Sequence, residues 1–187
     1  MNPLFIQPPQ VAWASGALSA GPLLRKSTRI QDLAGVFADE HARQAMPGDL
    51  SVYDVEMLAT SPAEGDLYVG VTHLYPGKIG HEFFMTRGHF HNRREQGEVY
   101  FGLRGSGLLL LQNEQGEARL ESVFAGSVHI IPGFTAHRLI NTGDDVLSAL
   151  AVWPTAAGHD YAALANGFAI RVVEESQTVQ VKEVPHG

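Results

Sequence analysis

From Ser51 onward the chain breaks into short runs rich in Val, Leu, Tyr and Phe, separated by Gly, Pro and Asn. This pattern predicts strands over 52–58, 67–75, 82–87, 99–103, 108–112, 118–124, 127–131, 137–141 and 146–153, with two more over 168–173 and 178–184. Turn signals fall between them, among them Pro76-Gly77, Asn92-Arg93, Gly105-Ser106-Gly107, Pro132-Gly133 and Gly143-Asp144. Many short strands at this spacing predict an all-β sandwich or barrel. Upstream the period changes. Ile30, Leu33, Val36 and Phe37 recur at helical spacing, with Ser27 and Thr28 as candidate N-caps and Pro47-Gly48 as a stop. These positions predict one helix over residues 28–45. The stretch up to about Leu24 contains Pro and Gly and little periodicity, and is expected to lie on the surface as an extended arm; a brief helical turn is expected over 161–165. The reading is a single mostly β domain, with residues 1–50 as arm and helix and residues 51–187 as the barrel.

Composition narrows the chemistry. At 187 residues the chain is long enough for one substantial core and too short for two ordinary domains. It has no cysteine, which excludes a disulfide scaffold, a thiolate metal site and a cysteine nucleophile. Any transition-metal site must therefore use imidazole and carboxylate. A formal charge of −7 with scattered basic residues argues against a nucleic-acid surface. No run approaches the roughly 20 apolar residues that span a bilayer, and the first ten residues lack the basic start of a secretory signal. A cytoplasmic protein without membrane or nucleic-acid partners is expected.

Five of the nine histidines fall between residues 73 and 129, and two more follow at 137 and 159. His89 and His91 are informative because alternate residues on a strand point to one face, so both imidazoles enter one space. Glu98 follows a polar loop and opens the β-rich run Glu98-Val99-Tyr100-Phe101, where a hairpin can bring its carboxylate opposite the pair. Glu95 competes with it by spacing but stands in the run Asn92-Arg93-Arg94-Glu95-Gln96-Gly97, which reads as loop. Glu98 is therefore the expected ligand. His137 comes later, after Gly126, five residues and Pro132. Three imidazoles and one carboxylate suit one divalent ion, Fe²⁺ first, with Mn²⁺, Ni²⁺, Co²⁺ or Zn²⁺ as alternatives. His73, His81 and His129 stand outside this pattern and read as surface or core-edge residues.

Together these positions resemble the two cupin motifs. His89-Phe90-His91 precedes Glu98, which is followed by Gly105; Gly126 precedes Pro132, and His137 precedes Asn141. Phe134 departs from the pattern where glycine is common, and a different turn shape is expected there rather than a lost ligand. The resemblance implies a cupin barrel, that is, a double-stranded β-helix or jelly roll.

A narrower likeness lies in Thr72-His73-Leu74-Tyr75-Pro76, Glu82-Phe83-Phe84-Met85-Thr86-Arg87-Gly88-His89-Phe90-His91, Glu98-Val99-Tyr100, Ala136-His137-Arg138 and Gly158-His159-Asp160-Tyr161. These segments are similar to the archaeal-type glucose-6-phosphate isomerases. That resemblance implies a homodimeric, metal-dependent isomerase that interconverts glucose 6-phosphate and fructose 6-phosphate in glycolysis and gluconeogenesis. It implies His89, His91, Glu98 and His137 as metal ligands, and Thr72, Thr86 and Gly88, with Tyr53, as contacts near the phosphate. His159 and Tyr161 line the sugar end. Trp153 replaces an expected tyrosine, and its indole can donate a hydrogen bond but not accept one. Arg87 or Lys78 can supply positive charge.

The residue chemistry suits such a reaction, since a metal can polarise carbonyl and hydroxyl oxygens and stabilise an enediolate. Glu98 is the candidate base, with Tyr100 or His159 as its partner. A hydride shift in which Glu98 is only a ligand stays open, as do an iron dioxygenase and a non-catalytic sugar-binding cupin.

Overall fold

Each strand of the barrel can be traced to a short apolar run closed by a turn former. The computed structural model describes residues 4–19 and 21–184, so the first three residues of the expected arm, and residue 20, lie outside it. The arm contains a small hairpin of β1 (Gln10–Val11) and β2 (Leu18–Ser19), and the chain then enters β3 (Leu23–Arg29). A 3₁₀ turn over Ile30–Leu33 and a short α1 (Glu40–Ala45) precede β4 (Ser51–Leu58) and β5 (Leu67–Leu74). Then come β6 (Lys78–Ile79), β7 (Glu82–Phe83), β8 (Glu98–Arg104), β9 (Ser106–Asn113) and β10 (Ala118–Phe124). They are followed by β11 (Val128–Ile131), β12 (Thr135–Ile140), β13 (Leu147–Pro154), β14 (Ile170–Glu175) and β15 (Thr178–Glu183).

A six-stranded sheet in the order β11-β8-β13-β5-β4-β3 faces a three-stranded sheet β10-β9-β12, with β15-β14-β7-β6 beside them. Residues from these sheets form one buried cluster that includes Val52, Leu74, Leu109, Leu111, Leu139, Ile140, Leu147 and Val172. This is the antiparallel cupin jelly roll. The chain passes from β8 in the large sheet to β9 in the small one at Gly105. Its φ is +74° and an added Cβ would lie 2.4 Å from the Val146 carbonyl oxygen, so the motif glycine is there because nothing larger fits.

The strand expectations hold to within two residues, with one exception and four omissions. Over 82–87 only Glu82–Phe83 is regular, and Met85 makes an isolated bridge to Ile140. β1, β2, β3 and β6 are additional.

The single helix is much shorter than expected. Ser27 and Thr28 lie in β3, whose residues pair with β4 from Leu23↔Leu58 to Arg29↔Ser51. Ile30, Leu33 and Phe37 are buried as their spacing demands, but a 3₁₀ turn and a loop satisfy that spacing. Gly35 takes φ +75° between them. The real cap is Asp39, whose Oδ1 accepts the Ala42 N–H at 2.8 Å, and the helix ends at Ala45 before Pro47. A 3₁₀ turn over Ala162–Leu164 stands where a brief helical turn was expected.

Phe134 also corrects an expectation. Its φ is +59°, so the turn keeps the left-handed conformation a glycine would adopt, and the phenylalanine bears the strain.

Candidate metal centre and its cavity

Four strands of the large sheet build one wall of a cavity by simple alternation. Tyr53, Val55 and Met57 of β4, Gly70 and Thr72 of β5, Glu98 and Tyr100 of β8, and Ala151 and Trp153 of β13 all line it. Their register brings them side by side: Val55↔Thr72, Met57↔Gly70, Ala149↔Thr72, Ala151↔Gly70 and Ala151↔Tyr100. The opposite wall is the irregular segment Thr86–His89, with His137, His159 and Tyr161. The free volume is about 140 Å³, room for a small ligand.

His89, His91, Glu98 and His137 offer ligand atoms that all lie within 4.8 Å of one another. His89 and His137 oppose each other in an isolated antiparallel bridge, with His89 N–H donating to the His137 carbonyl at 3.3 Å and the reverse bond at 3.1 Å. Their rings lie 4.5 Å apart. Glu98 enters from the other sheet, its side chain only 5% exposed. Glu95 does not join them. Its side chain is 54% exposed and pairs with Arg93 at 3.1 Å.

The donor set fits a cation. Paired with the Gln96 carbonyl oxygen at 2.9 Å, His91 Nδ1 must carry the proton there, because a carbonyl only accepts. His91 Nε2, then unprotonated in the neutral ring, faces Glu98 Oε2 at 3.2 Å. Two acceptors turned toward each other need a positive charge between or beside them. His137 Nε2 lies 3.0 Å from the same oxygen but is not aligned as a hydrogen bond, and His137 Nδ1 and His89 Nε2 are buried without any partner. Orphaned, buried imidazole nitrogens converging on one carboxylate are what a metal would satisfy.

Burial lowers His91, but the Glu98 carboxylate and the Gln96 carbonyl more than offset it and raise it above the usual imidazole range, so without an ion a proton on Nε2 takes the place of a metal beside Glu98. Burial and the neighbouring imidazoles push His89 far down, so it is neutral. Burial pushes Glu98 up, but His137 and His91 more than offset this and hold it below the usual carboxylate range. Burial raises the Tyr100 phenol well above its ordinary value, with Glu98 adding to it, so Tyr100 keeps its proton. His159, 4.3 Å from the His89 ring, is lowered mainly by burial. It is held there by the bridge Phe90↔Asp160 and by the Asp160–Arg94 ion pair at 2.6 Å.

Around the metal-ligand cluster some hydrogen-bonding capacity is left unused by the fold. Thr86 Oγ1 accepts the Leu139 N–H at 3.0 Å, which leaves its own proton to donate. The Arg87 guanidinium stacks over Tyr161 at 5.1 Å, whereas Lys78 pairs with Glu174 and lines a separate surface pocket. Arg87 is therefore the cation at this cavity, and Lys78 is not. Trp153 packs on Tyr68 at 5.5 Å and reaches toward His159 at 6.5 Å. Val55, Met57, Gly70 and Ala151 were not singled out from sequence, since a small or apolar residue on a strand carries no signal of its own. His73 and His129 are engaged by Ser148 and by Glu121 with Ser127, outside the cavity.

The sequence profile of the family described as glucose-6-phosphate isomerase (GPI) matches residues 27–186. The chain belongs to the glucose-6-phosphate isomerase family. Within that family, the enzyme named glucose-6-phosphate isomerase of Thermococcus litoralis is 47% identical over 160 residues, 84% of each chain. The protein of the same name from Pyrococcus horikoshii is 41% identical over 179 residues, 94% of each. A bacterial relative so named, from Sinorhizobium medicae, is 39% identical over 173 residues, covering 90% of this chain and 80% of its own. Among solved structures, an oxalate decarboxylase from Lactobacillus farciminis covers 61% of this chain and 32% of its own at 20% identity, with a TM-score of 0.46. That likeness is too distant to bear on the metal or the reaction.

Proposed function

We propose that this member of the glucose-6-phosphate isomerase family interconverts glucose 6-phosphate and fructose 6-phosphate, and that it does so at the cavity between the two sheets. The observation that carries the reading is that His89, Glu98 and His137 of the four-residue ligand cluster line one small cavity together with Tyr53, Thr72 and Thr86. His89, His91, Glu98 and His137 would hold one divalent ion, Fe²⁺ by first choice and Mn²⁺, Ni²⁺, Co²⁺ or Zn²⁺ as alternatives. Such an ion supplies Lewis acidity toward the substrate oxygens.

The chain's own residues do the rest. Glu98 Oε2 is turned to the imidazoles, while Oε1 makes no hydrogen bond among the described residues, so one carboxylate can serve both as ligand and as base. As a base it takes the proton from C2 of the aldose and returns it to C1, giving the ketose. Tyr100 and His159 flank it, one protonated and one neutral, suited to moving the hydroxyl proton between the two oxygens. Thr72, Thr86, Gly88 and Tyr53 hold the phosphate with Arg87 beside them. Tyr161 lies along the sugar.

A cytoplasmic place in glycolysis and gluconeogenesis follows from that reaction, and no helix among the described residues is long and apolar enough to cross a membrane. Residues 1–50 and 51–187 are read as parts of one domain, which the β3–β4 ladder supports. A homodimer is proposed because the outer face of the large sheet is apolar and open: Val128 and Ile130 are 63% and 71% exposed beside Val99 and Phe101.

The test is conversion of fructose 6-phosphate to glucose 6-phosphate by purified protein as isolated, after chelation, and after return of single metals. Activity lost to the chelator and restored by a metal is expected. No turnover by folded, metal-loaded protein would sink the reading, and oxygen uptake by the iron-loaded form would favour a dioxygenase instead.

A further inference from the structure

Behind the phosphate-facing wall of the cavity lies a charge that has no ion-pair partner among the described residues. Arg138 is 7% exposed, and among the described residues no carboxylate lies within ion-pair distance of it. The nearby Glu82 is already held by Arg171 at 2.7 Å and by the Ala38 N–H at 2.5 Å. Arg138 Nε is buried without a hydrogen-bond partner, and its guanidinium stacks on Phe168 at 4.6 Å. An unpaired buried cation is costly, and packing alone gives no reason to keep one.

The one side-chain hydrogen bond it makes among the described residues explains the placement. Arg138 Nη2 donates to the Arg87 carbonyl oxygen at 2.5 Å. In a trans peptide the carbonyl and the N–H point in opposite directions, so tying the Arg87 oxygen back into the wall turns the Gly88 N–H outward. That N–H donates to nothing else among the described residues. Gly88 has φ +75°, and an added Cβ would lie 2.7 Å from Phe168 and 3.1 Å from Arg138 Nε. The residue between guanidinium and cavity is thus as thin as a residue can be.

We infer that Arg138 is a positioning residue for the anionic end of the substrate: it aims the Gly88 N–H at a phosphate and sets a fixed positive charge directly behind it. The phosphate in turn supplies the negative charge that the buried guanidinium lacks. This rests on the isomerase reading for the substrate, but the anion site itself can be tested apart from turnover.

Two variants decide it, Arg138→Met, which removes the charge at similar volume, and Arg138→Lys, which keeps the charge without the planar fork. KM for fructose 6-phosphate and half-inhibition by inorganic phosphate are measured together with metal content and melting temperature. For Arg138→Met both constants are expected to rise together by about 10- to 100-fold, the loss of one charge-assisted contact, with metal retained. Arg138→Lys is expected to recover part of this.

Values within about twofold of wild type in folded, metal-loaded Arg138→Met, or a fall confined to kcat, would overturn the inference and leave Arg138 as support for His137. If the methionine variant does not fold, unchanged KM and phosphate inhibition in the lysine variant do the same. If the wild type shows no turnover, the isomerase reading fails separately. Calorimetric titration of inorganic phosphate into wild type and variants then decides the Arg138 inference, with equal affinities overturning it.

Discussion

At the scale of single residues the two candidate carboxylates make opposite predictions. Glu98 is buried between two imidazoles, and Glu95 is exposed on Arg93. Glu98→Gln should lower kcat by about 10²- to 10⁴-fold, the usual contribution of a general base. Metal analysis of the purified variant then separates its roles, since retained metal marks a base and lost metal a ligand. Glu95→Gln should change activity and metal content very little; loss of metal there would reverse the assignment of the carboxylate. The ligand cluster was legible because its spacing is rigid. The H-x-H alternation needs only a strand, and Glu98 announces itself by opening an apolar run. Arg138 was quoted in a motif yet its role was not legible. An arginine on a strand reads as surface, and only the fold shows that this one is buried behind Gly88.

Between elements, hydrogen bonds across strand ends carry testable stability. Tyr75, just past β5, donates from its hydroxyl to Asp54 Oδ2 of β4 at 2.6 Å. That bond, with burial adding to it, pushes the phenol up to about 12 from an ordinary 10. The folded state therefore holds this proton more tightly than the unfolded one. Its contribution is fully present below pH 10 and is lost as pH rises through about 12. Denaturant midpoints of wild type should fall more steeply over that window than those of Tyr75→Phe; parallel curves would show that the bond carries no such stability. The helix start is equally exposed to test. Asp39→Ala should destabilise the fold by about 0.5–2 kcal/mol if Asp39 is the cap, whereas Thr28→Ala would show a capping loss only if the longer helix existed. That longer helix was misread because Ile30, Leu33 and Phe37 satisfy a 3₁₀ turn and a loop as well as an α-helix. β3 was hidden for a related reason: its burial pattern is exposed at nearly every position, so no alternation marks it, and only the ladder to β4 makes it a strand.

For the molecule as a whole, metal and assembly are the two terms the single chain leaves open. An ion that binds only the folded state stabilises it by mass action, about 2.7 kcal/mol when its free concentration is 100 times Kd. Chelation should then lower the melting temperature by roughly 5–10 °C for a domain of this size, and an unchanged melting curve would mean that the four ligands do not hold a metal in the resting protein. Assembly is argued from the outer face of the large sheet. Ile130 pairs with Val99 and Val128 with Phe101 across β11 and β8, which makes an apolar patch on an edge strand with no charge to guard it. Trp13 of the arm is also open, while Leu18 and Val11 anchor the hairpin on the same sheet near Leu103 and Leu150. A two-fold axis beside β11 would bury this patch against its own copy, so that each substitution counts twice at one interface. Light scattering should give twice the chain mass for wild type at micromolar concentration, and Ile130→Lys should shift it to the monomer with the metal still bound, because the ligand cluster lies inside the barrel and the Ile130 side chain is exposed on its outer face. A wild type that is already monomeric at those concentrations would remove the dimer and leave the apolar edge without a partner.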